Sequence, residues 1–97
     1  MIITPTVGRV VWFVPHGSLI DEKFQPCAAI VAYVHSDRLV NLTVFAHNGG
    51  SRPETSVTLV QEGDNKPESG HYCKWMPYQI GQAQRHAQDA LGATKGL

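Results

Sequence analysis

Ninety-seven residues make one domain, near the lower end of what folds alone around an ordinary core. Apolar residues are 42% and charged residues 16%, which excludes a disordered chain and leaves a sparsely charged surface that favours self-association. Eight basic residues balance eight acidic ones, so the basic excess of a general nucleic-acid binder is missing.

Val7–Val14 is dense in β-branched and aromatic residues and ends at Pro15-His16-Gly17-Ser18, which predicts a strand and a turn. Gly8 within it marks a bulge or a close backbone approach. Leu19–Pro26 reads as a loop with Asp21, Glu22 and Lys23 in water. The second strand, Cys27–His35, contains the longest apolar run, Cys27–Val34, which suits a buried strand and falls short of a membrane span. Its run is apolar on both faces, so it is expected at the centre, covered from both sides.

Ser36-Asp37 turns the chain into Arg38–Ala46, where Val40, Leu42 and Val44 alternate with Asn41, Thr43 and Phe45 as in a half-buried strand. Asn48-Gly49 is a hairpin signal that asks for positive φ at both central positions. The return strand is Thr55–Gln61 with Val57 and Leu59 inward, and Glu62–Gly70 is an exposed polar loop. A short last strand, His71–Trp75, leads into a helix from about Pro77 to Leu91 and a frayed tail over 93–97. Tyr78, Ala83, Ala87, Ala90 and Leu91 form its apolar stripe, opposite Gln82, Arg85, Gln88 and Asp89. These elements predict a mainly β single domain: a five-stranded bent sheet or partly open, SH3-like barrel with one C-terminal α-helix.

The corner Cys73–Gln82 concentrates rigid and aromatic residues. Pro77 fixes its own φ and pushes Met76 out of the helical region, so the strand-to-helix bend is sharp. The amides of Tyr78 and Gln79 then stand at a helix start, where the dipole is positive. Such a corner either clamps the helix to the β-domain or holds an aromatic wall beside an anion-friendly helix end.

The chemistry-bearing residues give little support to catalysis. His16, His35, His47, His71 and His86 are scattered, and His71-x-Cys73 lacks the second ligand pair of a structural zinc site, so no metal is expected. His35, Ser36 and Asp37 are adjacent in a turn, which is the wrong geometry for a triad. Neither a phosphate-binding glycine motif nor a G-x-S-x-G frame is present. No catalytic residue and no cofactor follow. Cys27 and Cys73 read as two reduced, half-buried thiols, with a single disulfide as the alternative in an exported protein.

The aromatic set carries more. Trp12 and Trp75 close the first and last strands, which lie near each other in a small barrel, and each is either core or part of an open stacking platform. In the second case Arg9, Arg38, Arg52 and Arg85 are the phosphate partners. Met76, Tyr78 and Gln82 complete the candidate ligand site with Trp12, Trp75, Arg9, Arg38 and Arg85.

Gln25–Phe45 (QPCAAIVAYVHSDRLVNLTVF), Thr55–Asp64 (TSVTLVQEGD) and Tyr72–Ala83 (YCKWMPYQIGQA) together resemble a family of small uncharacterised proteins encoded by tailed bacteriophages and prophages. The likeness covers most of the chain up to Ala83 and brings no biochemical activity or site residues. It implies a phage product made in the host bacterial cytoplasm, in line with an N-terminus that shows no secretory signal. By analogy with small phage inhibitors of host defence, the expected function is non-enzymatic: an oligomer, dimer or higher, that sequesters a nucleotide-derived immune signal of the cyclic ADP-ribose or cyclic dinucleotide type. The alternative is an interaction module, either a phage accessory or virion component or a blocker of a host protein. Neither reading involves a membrane.

Overall fold

The computed structural model describes residues 2–18, 20, 23–68 and 70–85. Five strands run in the order β1 (Val10–Val14), β2 (Cys27–Ser36), β3 (Leu39–Phe45), β4 (Ser51–Val60) and β5 (Tyr72–Lys74). A helix, α1, follows over 77–85. The helix expected over 86–91, its residues Ala87, Ala90, Leu91, Gln88 and Asp89, and the tail over 93–97 lie outside the described residues. So do His86, Leu19, Asp21 and Glu22.

β1 to β4 form an antiparallel meander, and β5 returns beside β1 antiparallel and beside β4 parallel. The parallel pair, Leu59 opposite Cys73 and Val60 opposite Lys74, closes the sheet into a barrel. It is therefore a small closed β-barrel with one helix, where a partly open one was among the expectations. Closure is confined to the short strands: in the ladders Ser51–Thr58 of β4 and the end of β2 after Ile30 pair with β3 alone.

Alternation drives the packing. Val11 and Phe13 of β1, Ala29 and Val31 of β2, Val40, Leu42 and Val44 of β3, and Val57 and Leu59 of β4 all point inward and are buried. β2 departs from its expected two-sided burial: Cys27, Ala29 and Val31 face the core, whereas Ala28, Ile30 and Ala32 are exposed. A barrel has only one inside, so a run apolar on both faces leaves half its side chains outward.

Irregularities set the shape. Gly8 lies in a turn before β1, and its N–H donates to the Val31 carbonyl at 2.8 Å. A Cβ there would meet nothing within 4 Å, so its φ of 95°, and not space, is what asks for glycine. The β3–β4 loop also departs from the two-residue turn. Gly49 alone has positive φ there, its N–H donating to Ala46 O and Ala46 N–H donating to Gly50 O. This is a three-residue loop in which one left-handed glycine follows a right-handed turn. β4 begins at Ser51, before the expected Thr55, and carries Pro53 opposite Thr43.

Candidate functional site

The inward row Val57, Leu59 runs on to Gln61, so period two delivers a polar side chain where the apolar row ends. Gln61 is 2% exposed. Its Oε1 accepts from the Ile3 backbone N–H at 3.0 Å and from the Trp75 Nε1–H at 3.0 Å. Its Nε2 donates to Ile3 O at 2.9 Å and to Asp37 O at 2.8 Å. Both amide protons and both acceptor positions are thereby used. Among the described residues no buried side-chain nitrogen or oxygen lacks a partner.

Trp75 is thus a core side chain, 3% exposed, with its indole N–H bonded inward. Its expected use as an open stacking platform is corrected by that burial. One side of it still borders a hollow of about 400 Å³ between the first turns of α1, the N-terminal segment and Arg9. Ile3 and Ala83 supply further apolar wall, and Gln79, Gln82 and Tyr78 supply polar groups. Tyr78 is the open ring here, 71% exposed, and its hydroxyl accepts from Gln82 Nε2–H at 3.1 Å.

The helix start is self-capped. Met76 N–H donates to Gln79 Oε1 at 2.9 Å, the return bond of a capping box, with Pro77 at the first helical position. Gln79 Nε2 donates to Val10 O at 2.7 Å and so stitches the helix onto β1. Gln79 N–H donates to Met76 O. Its amide is therefore no open anion donor, one of the two readings the sequence offers for this corner, and the stitch to Val10 fits the other, a clamp of the helix onto the β-domain. The stripe of α1 also shifts: Ile80 packs against the core and Ala83 lines the hollow, while Tyr78 faces outward.

Of the expected site residues, the structure gathers Arg9, Trp75, Tyr78 and Gln82 in one hollow. Met76 adjoins it through the helix cap. Arg85 is exposed and falls three residues beyond Gln82, on the stripe that contains Tyr78 and Gln82. Trp12 and Arg38 are elsewhere. Trp12 alternates outward between Val11 and Phe13, with the Lys74 ammonium 5.6 Å from its ring centroid. Arg38 forks onto Asp64, Nε to Oδ2 at 2.8 Å and Nη2 to Oδ1 at 3.2 Å. That hydrogen bond, and the Gln61 N–H donating to Asp64 Oδ2, hold the Asp64 carboxyl below its ordinary value. Arg52 pairs with Glu54 at 3.1 Å and lies 5.7 Å over the Phe13 ring.

No protein-family model, curated protein or solved structure matches this chain. Its chemistry is read from its own side chains. The described histidines have ordinary neighbours: His71 tilts against Phe13, and His35 donates to Asn41 Oδ1. Among the described residues no three His, Cys, Asp or Glu side chains converge as a metal site would require. Nor is any described helix long and apolar enough to cross a membrane.

Sequence reasoning missed Gln61 and Ile3. The signal for Gln61 was present in the inward row Val57-x-Leu59-x-Gln61, a polar residue in register with core positions. Ile3 carried none, since its partner is 58 residues away.

Proposed function

We propose that this chain is a non-enzymatic binding protein that holds a small anionic, ring-bearing ligand in the hollow bounded by Arg9, Trp75, Tyr78 and Gln82. A nucleotide-derived host immune signal, of the cyclic ADP-ribose or cyclic dinucleotide type, presents that chemistry. The observation that carries this reading is one cation, one open aromatic ring and the Gln82 side-chain amide around a single hollow. A guanidinium offers paired donors to a phosphate, Tyr78 a face for a base, and Gln82 an amide for a polar edge. At about 400 Å³ the hollow falls at the lower end of the range of small-molecule sites.

The resemblance to small phage-encoded proteins supports the context, a phage product acting in the host cytoplasm. The assembly proposed is a homo-oligomer. In its support, Val10 and Ile30, directly opposed on β1 and β2, are 39% and 37% exposed. An interaction module is the second reading, favoured by Tyr78 and Val7, which stands 67% exposed.

The test begins with denaturing the purified protein and taking mass spectra of whatever small molecules it releases. A melting screen against cyclic dinucleotides and ADP-ribose derivatives follows. A true ligand at a hundredfold its Kd stabilises by about 2.7 kcal/mol, and the shift should vanish in Arg9→Ala. A protein that releases nothing and shifts with none of these compounds is not a sequestering protein of this kind. Recovery of a host or phage protein by pull-down would then favour the interaction module.

A further inference from the structure

We infer that Gln61 is the positioning residue of this hollow, and that residues 2–9 form a strap which its side chain latches against Trp75. The strap is attached at two places. Near its start, Gln61 grips both backbone groups of Ile3, accepting from the N–H and donating to the carbonyl. At its end, Gly8 N–H donates to Val31 O, and Val31 N–H donates to Arg9 O, each at 2.8 Å. Pro5 is buried between these attachments, whereas Thr4, Thr6 and Val7 are exposed.

The first attachment ties two walls of the hollow to one atom. Gln61 Oε1 serves the Ile3 N–H and the Trp75 indole N–H together, each at 3.0 Å. Ile3 and Trp75 both border the hollow, and Arg9, its cation, ends the strap. Lifting Ile3 therefore removes a wall, frees the length of chain leading to Arg9, and leaves the indole as the sole remaining donor to that oxygen. The width of the hollow and the shielding of Trp75 are consequently one coupled property. Because Gln61 cannot follow the strap without losing its bond to Asp37 O, the latch opens at Ile3 first.

As regulation of the same hollow this rests on the binding reading, but its test needs no ligand, so the two can fail separately. In a Trp12→Phe background Trp75 is the only indole. Ile3→Pro deletes one donor to Gln61 and leaves Gln61 and Trp75 intact. Acrylamide quenching of Trp75 and solvent exchange of its Nε1–H should both rise about fivefold, the equivalent of a net hydrogen bond of about 1 kcal/mol. The Val44 backbone amide, inside the barrel, should exchange at the parental rate. Pro5→Gly loosens the strap without removing either bond and should give a smaller rise in the same direction. Gln61→Leu should in addition move the indole N–H resonance, because it loses its acceptor. Unchanged quenching and exchange in Ile3→Pro would overturn the latch. So would an equal acceleration at Val44, which reports general unfolding. A latch that opens as described in a protein with no ligand would leave this inference standing and the sequestration reading without support.

Discussion

Gln61 shows how one buried amide is tolerated in a small core. Each of its partners, Ile3 N–H, Ile3 O, Asp37 O and the Trp75 N–H, would otherwise need water or another bond. Replacing it with leucine keeps the volume roughly constant but orphans these groups together, so urea unfolding should show a loss of about 3 kcal/mol. Beside it, the Arg38–Asp64 fork responds to pH. Its cause is the hydrogen bond from Arg38, which favours the ionised carboxylate in the folded state. The sign follows directly: the contribution is present above the ordinary carboxylate value of 3.8 and is lost as pH falls through the lower folded value. Melting temperatures measured down an acid series should therefore drop less steeply in Asp64→Asn than in the parent. At this scale the inward positions Val57 and Leu59, whose row points on to Gln61, were legible. The partners were not, because they come from the N-terminus, the β2–β3 turn and the last corner, which only folding brings together.

At the scale of elements, the strands with clean alternation were legible, and those that break it were not. β3 came from the sequence within a residue at each end, since Val40, Leu42 and Val44 mark an unbroken inward row. The first half of β4, Ser51–Glu54, was not legible because Pro53 and Ser56 break the pattern, Ser56 taking φ 53° where the pairing with β3 shifts register. Ser56 N–H donates there to Asn41 Oδ1 at 2.8 Å, in place of a regular ladder bond. No local pattern announces a bulge that depends on a side chain from the neighbouring strand. The loop between β3 and β4 gives a sharper test of backbone than of packing. A Cβ at Gly49 would meet nothing within 4 Å, yet its φ is +89°. Gly49→Ala should thus cost about 1 kcal/mol through conformation alone, read as a shift in urea midpoint without a change in slope. The helix cap gives a comparable figure for another reason. Gln79→Ala removes both the return bond to Met76 and the stitch to Val10, and should lower stability by about 1 kcal/mol.

On the scale of the whole molecule, closure decides what the two cysteines can do. Phe13 of β1 pairs with Cys27 on one side and with Cys73 on the other. The thiols thus belong to strands separated by a third, roughly 8–10 Å apart along the sheet. That exceeds the ~7 Å that a disulfide can bridge without moving the backbone. Both are free, and both are buried rather than half-buried as the sequence suggested. A small barrel brings the first and last strands together, but the register of β5 on β1 and its parallel pairing with β4 have no local signal, so the cysteine geometry could not be read before the fold. Burial has a second consequence. It pushes the Cys73 thiol up from 9.0 to about 12. In the unfolded chain the same thiol ionises from its ordinary value, so between these limits the unfolded state binds fewer protons than the native one. Stability must then fall as pH rises above 9.0, and Cys73→Ala should remove that part of the decline while introducing a small cavity cost of its own. Urea midpoints taken from pH 8 upward measure the slope directly. A thiol reagent at neutral pH provides the matching kinetic test: native protein should react slowly at both cysteines, and two equivalents should appear only with denaturant. Rapid native labelling of Cys73, or a monomer that forms an internal disulfide under mild oxidation, would contradict the barrel closure that places Phe13 between them.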